Sequence, residues 1–100
     1  MKNVFISQPM RDKTDEEILA ERERLAEKAR CALGEDVEVL DTFFADYSPD
    51  APYQGVAFLG RSLMELAKAD AAIFGDGWED YRGCRIEHRV CSDYGIPIVD

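Results

Sequence analysis

The sequence predicts an α/β fold, a three-layer, doubly wound parallel sheet of four to five strands of the flavodoxin or Rossmann-like kind. Three observations predict it. Short apolar runs alternate with amphipathic stretches in the order strand, helix, strand, helix, strand, helix, strand. Glycines follow two of the amphipathic stretches where a C-cap belongs. Each connection between apolar runs is long enough for a crossover, so parallel βαβ units are the natural architecture. With 100 residues, 46% hydrophobic and 33% charged, the chain has material for one core and one polar shell. A single domain over 1–100 is expected.

The elements follow in order. Val4-Phe5-Ile6 is a short apolar run stopped by Ser7-Gln8-Pro9, which suits a buried strand ending at a proline. Thr14 followed by Glu17 forms a capping box, and Asp15 and Glu16 place further negative charge in the first helical turn, where the dipole favours it. Ile18, Leu25, Ala29, Ala32 and Leu33 then mark the inner face of a long helix, Glu21, Arg22, Glu23, Arg24, Glu27 and Lys28 its wet face, and Gly34 its end.

Val37 to Leu40 is a second strand. The segment from Asp41 to Gly55, with two prolines and no period, reads as a long loop able to cover a site. Leu59, Leu63, Leu66 and Ala67 repeat at helical spacing, and Ala71-Ala72-Ile73-Phe74 is a fully apolar strand broken by Gly75-Asp76-Gly77. A last amphipathic stretch from Cys84 to Tyr94 ends at Gly95, and Ile96 to Val99 forms the final strand.

Composition narrows the function classes. A formal charge of −9 without a cluster of Lys or Arg argues against a nucleic-acid polymer as partner. A small nucleoside or phosphorylated ligand stays open, because a few backbone N–H groups and an arginine suffice to hold it. No apolar run approaches the length of a membrane span and no secretory signal is recognisable, so a cytoplasmic protein without membrane contact is expected. Cys31, Cys84 and Cys91 lack metal or C-x-x-C spacing and read as buried or half-buried free thiols. No metal site and no cofactor are expected.

In a sheet of this kind ligands bind beyond the carboxyl ends of the strands, where the strand order reverses. If the first strand is central, that crevice collects Ser7 to Arg11, Asp41 to Phe44, and Gly75 to Glu87, and three constellations stand out in it. Ser7-Gln8-Pro9-Met10-Arg11 is a polar turn in which Ser7 and backbone amides hold a sugar or phosphate and Arg11 anchors charge. It contains neither a dinucleotide fingerprint nor a P-loop. Gly75-Asp76-Gly77-Trp78-Glu79-Asp80 offers carboxylates and an indole over a strand end, with Trp78 either stacking on a planar base or filling the rim of the core. Gly83-Cys84-Arg85-Ile86-Glu87 opens a helix whose dipole is expected to keep Glu87 ionised, ready to act as a nucleophile. His88 reads as an ordinary helix residue.

Phe5-Ile6-Ser7-Gln8-Pro9-Met10-Arg11, Ala69-Asp70-Ala71-Ala72-Ile73-Phe74, and Gly77-Trp78 through Gly83-Cys84-Arg85-Ile86-Glu87-His88 to Tyr94-Gly95-Ile96-Pro97 together resemble a small bacterial and phage domain family of unassigned activity. That family is similar to the nucleoside 2-deoxyribosyltransferase superfamily. The resemblance implies cleavage of an N-glycosidic bond in a deoxynucleoside or its monophosphate, by a transferase or a hydrolase, with Glu87 as nucleophile. Asp76, or else Asp80, would protonate the departing base. Ser7, Gln8, Pro9, Met10, Arg11, Phe44, Gly77, Trp78, Tyr81 and Gly83 would bind substrate. A tyrosine of characterised members aligns with Phe5 and an aspartate with Tyr81. The resemblance also implies a homo-oligomer. Two other classes remain beside the enzyme: a non-catalytic nucleotide- or nucleoside-binding module, and a small assembly protein with a vestigial site, whose mark would be an exposed apolar patch.

Overall fold

The computed structural model describes residues 1–42 and 49–99. Its elements are β1 (Lys2–Ser7), α1 (Asp15–Leu33), β2 (Val37–Val39), α2 (Gln54–Leu66), β3 (Ala71–Phe74), a 3₁₀ turn (Trp78–Asp80), α3 (Arg82–Tyr94) and β4 (Ile98–Val99). The four strands form one parallel sheet in the order β2-β1-β3-β4. The strand count is thus the lower of the two expected, among the described residues.

Side-chain alternation along β1 separates two cores. Val4 and Ile6 point to one face, where Leu25, Ala26 and Ala29 of α1 cover them together with Val37 and Ile73. Phe5 points to the other, against Leu66 of α2, Ala72 and Cys91 of α3. Helices therefore lie on both sides of the sheet, the third layer that a doubly wound fold requires. The chain leaves β1 for β2 on one side and returns through β3 on the other, so the order reverses between β1 and β3.

Local chemistry sets the first helix. Thr14 Oγ1 accepts from Glu17 N–H at 3.1 Å while the Glu17 carboxylate accepts from Thr14 N–H at 2.9 Å, closing the capping box in both directions. Those bonds hold the Glu17 carboxyl below its usual proton affinity. Gly34 ends the helix in the left-handed region at φ 69°, donating its N–H to Arg30 O.

Two helical residues depart from their expected faces. Ala32 is exposed. Arg22, placed on the wet face by its charge, is half-buried and its Nη2 donates to the Thr42 hydroxyl, which in turn donates to Ile6 O at 3.2 Å. A long arginine stem can lie along apolar surface while its head finds a partner. Burial lowers the Arg22 pKa, with Asp41 nearby opposing the effect.

α2 starts five residues ahead of Leu59, the first residue whose spacing announces it. Gln54 and Gly55, expected at the end of the preceding loop, therefore belong to the helix. β4 covers only Ile98 and Val99, shorter than the expected Ile96 to Val99, with Pro97 O just ahead of it accepting from Ala72 N–H of β3 at 2.9 Å. Cys84 and Cys91 are buried free thiols, but Cys31 is exposed on α1, against expectation. No described helix is long and apolar enough to cross a membrane.

Candidate functional site

The reversal point between β1 and β3 opens into a cleft of about 360 Å³. One wall is the turn that leaves β1, where Ser7, Gln8, Pro9 and Met10 all line it. The opposite wall comes from the start of α3, with Gly83, Cys84 and Glu87, and the rim from Tyr81. Seven of the residues singled out from the sequence thus converge: Ser7, Gln8, Pro9, Met10, Tyr81, Gly83 and Glu87.

β1 alternation explains how Ser7 enters the site. It shares the Phe5 face of the sheet and therefore points towards α3. Its hydroxyl donates to Glu87 Oε1 at 2.6 Å, inside the protein. The distance is that of a charge-assisted O–H···O bond.

Glu87 is only 8% exposed, and desolvation raises its pKa from 4.5 to about 7, against the lowering effects of hydrogen bonds from Ser7 and Ser62. The expectation of a carboxylate kept fully ionised by the helix dipole is therefore corrected. Glu87 is the sixth residue of α3, beyond the first turn within which the dipole acts, and burial outweighs it. Cys84 and Cys91, one turn before and after it, are buried beside it. Burial and the neighbouring Glu87 carboxylate raise both thiols, Cys91 to about 11, so neither is primed as a thiolate.

The remaining predicted residues lie elsewhere. Asp76 does not line the cleft; its side chain is 97% exposed and pairs with Arg24 of α1 at 3.6 Å. Asp80 is exposed and also outside it. Asp76, or else Asp80, was expected as the acid, but neither side chain lines the cleft. Gly75 N–H donates to Ser7 O at 2.8 Å and Gly77 adopts φ 81°, throwing the 3₁₀ turn away from the Ser7 side.

Trp78 likewise misses the cleft. Its indole stacks on His88 with ring centroids 4.1 Å apart and planes 5° from parallel, and lies 5.5 Å from Phe74. Of the two placements expected for it, this is the one at the rim of the core, beside Phe74 and His88. Arg11 reaches the rim indirectly, its guanidinium 5.4 Å from the centroid of the Tyr81 ring. Phe44 falls outside the described residues.

Sequence reading missed the third wall. Gly55, Phe58, Leu59 and Ser62 of α2 line the cleft, whereas Thr42, beside Ile6, belongs to the stretch from Asp41 to Phe44 expected there. The apolar repeat of α2 gave a cleft-lining role to none of the α2 residues, because it reads Leu59 as core and carries no signal at Gly55, Phe58 or Ser62. Among the described lining residues Glu87 is the one acid, and no Lys, Arg or His is present. No group of three or more His, Cys, Asp or Glu side chains among the described residues could hold a metal ion.

No family model, curated protein or solved structure matches the chain.

Proposed function

We propose that the cleft is the active site of an enzyme that breaks the N-glycosidic bond of a deoxynucleoside or deoxynucleoside monophosphate, with Glu87 as nucleophile. The observation that carries this reading is a buried carboxyl, hydrogen-bonded by Ser7 at 2.6 Å, on the wall of a cleft large enough for a nucleoside-sized ligand. Ligand sites of a doubly wound sheet occupy this position.

The chemistry follows from the charge and its surroundings. As the bond between C1′ and the base nitrogen lengthens, positive charge develops on the sugar, and one oxygen of ionised Glu87 bonds to C1′ to give a sugar ester. The electron pair of the broken bond leaves with the base, which takes up a proton. Tyr81, which lines the cleft where Asp76 and Asp80 do not, is the hydroxyl acid we assign to supply it. Water, or the nitrogen of an incoming base, then attacks C1′ as its proton passes to the Tyr81 phenolate, and the ester C–O bond breaks to return Glu87 as carboxylate. The apolar lining from Phe5, Ile6, Phe58 and Leu59 strengthens this electrostatic contact by excluding water.

A homo-oligomer belongs to the same proposal. Tyr53, Val56 and Met64 of α2 are 78%, 67% and 73% exposed, and Ile86 of α3 adds to the apolar surface. Light scattering after size exclusion tests the assembly.

The activity test is a panel of deoxynucleosides and their 5′-monophosphates, with and without an acceptor base, followed by chromatography for free base. Wild type is expected to release base from at least one member, Glu87→Gln from none, and the sugar ester to add mass to Glu87 alone. Ligand-induced thermal stabilisation in both proteins without base release would instead establish a binding module.

A further inference from the structure

A second cavity, of about 350 Å³, lies between the N-terminal halves of α2 and α3. Helix periodicity sets it apart from the cleft. On α3, Gly83 and Glu87 form one stripe that faces the cleft, while Arg82 and Ile86, about 100° round the helix, face this outer groove. Tyr53 and Val56 line the groove from the other side. Gly55, Leu59 and Gly83 line both cavities, so the two adjoin. A Cβ at Gly55 or Gly83 would meet nothing within 4 Å, which leaves the border between them open.

Apolar side chains form most of the groove. Tyr53, Val56 and Ile86 are exposed there, no carboxylate lines it, and its one charged lining residue among those described is Arg82. The other arginines have partners. Arg24, Arg30 and Arg89 pair with carboxylates, Arg22 and Arg85 donate to oxygens of Thr42 and Glu79, Arg11 lies over the Tyr81 ring, and Arg61 has contacts of its own. Among the described residues the Arg82 side chain makes no hydrogen bond, ion pair or ring contact. In a chain with 21 acids and 12 bases, a guanidinium that no carboxylate engages is open to an anion from outside. Neither α2 nor α3 carries an acid in its first turn to offset that charge, whereas α1 carries three.

We infer that the outer groove is a binding subsite for an aromatic oxyanion, its ring against Tyr53, Val56 and Ile86 and its phosphate or carboxylate on Arg82. The planar guanidinium fork matches either oxyanion in two parallel bonds. Apolar walls beside that pair take up the ring and lower the local dielectric, which strengthens the contact. An uncharged ring or a bare anion engages half of the groove only. The inference goes beyond the reaction proposed at Glu87 and does not depend on it. The open border nevertheless gives a ligand seated at Glu87 a route for its anionic end, since Arg82 precedes Glu87 by about 7.5 Å along the helix axis. Met64, exposed further along α2, lies outside the groove and stays available to a subunit contact.

The test titrates ¹⁵N-labelled protein with phenyl phosphate, benzoate, phenol and inorganic phosphate while amide signals are followed by NMR. The two aromatic anions are expected to move signals of residues 53–59 and 82–86 saturably, and phenol and inorganic phosphate to bind about tenfold or more weakly. Arg82→Gln, at an exposed position, is expected to fold as wild type and to lose affinity for the aromatic anions by about tenfold or more. Glu87→Gln is expected to keep that affinity. Unchanged binding in Arg82→Gln overturns the subsite, as does inorganic phosphate binding as tightly as phenyl phosphate. An absence of movement at these residues, as when a second copy of the chain fills the groove, overturns it too. Thymidine 5′-monophosphate added to Glu87→Gln reads the link to the cleft. Signals moving in both cavities, and weakened by a further Arg82→Gln, support the subsite as the outer end of the cleft. Phenyl phosphate binding without nucleotide binding supports the subsite and overturns only the proposed reaction.

Discussion

Ser7 and Glu87, eighty positions apart in the chain, meet at 2.6 Å inside the protein, one at the end of the central strand β1 and the other in the second turn of α3. The bond joins the two walls of the cleft and puts an ionisable group where the fold gains nothing from its charge. Desolvation exceeds the help from Ser7 and Ser62, so folding holds Glu87 near pKa 7 where the unfolded chain holds it near 4.5.

That difference has a thermodynamic sign. The folded state binds more protons than the unfolded state between these two values, so stability is fully present below about pH 4.5 and falls as pH rises through about 7. The penalty at higher pH is on the order of 3 kcal/mol. Glu87→Gln, which keeps an oxygen for Ser7 to bond, is therefore expected to raise Tm at pH 8 by on the order of 10 °C. At pH 4 the two proteins should melt nearly together. Calorimetry across this range checks it, and a constant difference at all pH values would mean that the carboxyl titrates normally.

The same titration governs the proposed reaction in the opposite direction. A nucleophile must be ionised, so kcat/KM for base release should rise with pH through about 7 and then level. A profile falling through that pH would assign Glu87 to acid catalysis. Ser7→Ala should displace the rising limb to higher pH, because the bond it removes favours the charged form.

How far this site is legible in the sequence depends on the kind of signal each residue carries. The capping box at Thr14 and the glycine at 34 mark both ends of α1 because their chemistry is local. Ala71-Ala72-Ile73-Phe74 gives β3 its observed bounds, since a fully apolar tetrapeptide flanked by Asp70 and Gly75 has few alternatives. Ser7 and Glu87 are legible through position: the end of a central strand and the early turns of the last long helix face one crevice. Ser62 is not, because its role depends on which way α2 is rotated over the sheet. The start of α2 carries no signal either, as it has neither a capping side chain nor an acidic first turn. Asp76 misleads for a similar reason. Adjacency to a strand end fixes its location within a few ångströms but not its direction, and the turn after Gly75 sends it to Arg24.

Removing Asp76 should accordingly do little. Its partner Arg24 is itself half-exposed and already bonded to Glu21 at 2.6 Å, so the pair is surface chemistry screened by water. Asp76→Asn and Asp80→Asn are both expected to keep the wild-type Tm and rate of base release. Tyr81→Phe is expected to lower kcat by about tenfold or more if its phenol protonates the departing base. The three variants compared in one assay decide where the acid lies.

Two glycines, Gly75 just after β3 and Gly83 on the cleft wall, should respond in opposite ways to a single methyl group. A Cβ at Gly75 would stand 3.3 Å from both Gln8 Cβ and Pro9 Cδ. That segment has little room to yield, since Gln8 is 5% exposed and its amide is tied to Ile18 O at 3.0 Å. Gly75→Ala is expected to lower stability by about 1–3 kcal/mol, measured by urea denaturation. A Cβ at Gly83 meets nothing within 4 Å, and the residue has an ordinary helical backbone in the first turn of α3. Gly83→Ala should leave stability unchanged or raise it by up to about 1 kcal/mol, while its methyl takes space from the cleft and raises KM. If Gly83→Ala left KM untouched, the substrate would have to bind away from the start of α3, and the cleft would lose its claim to the reaction.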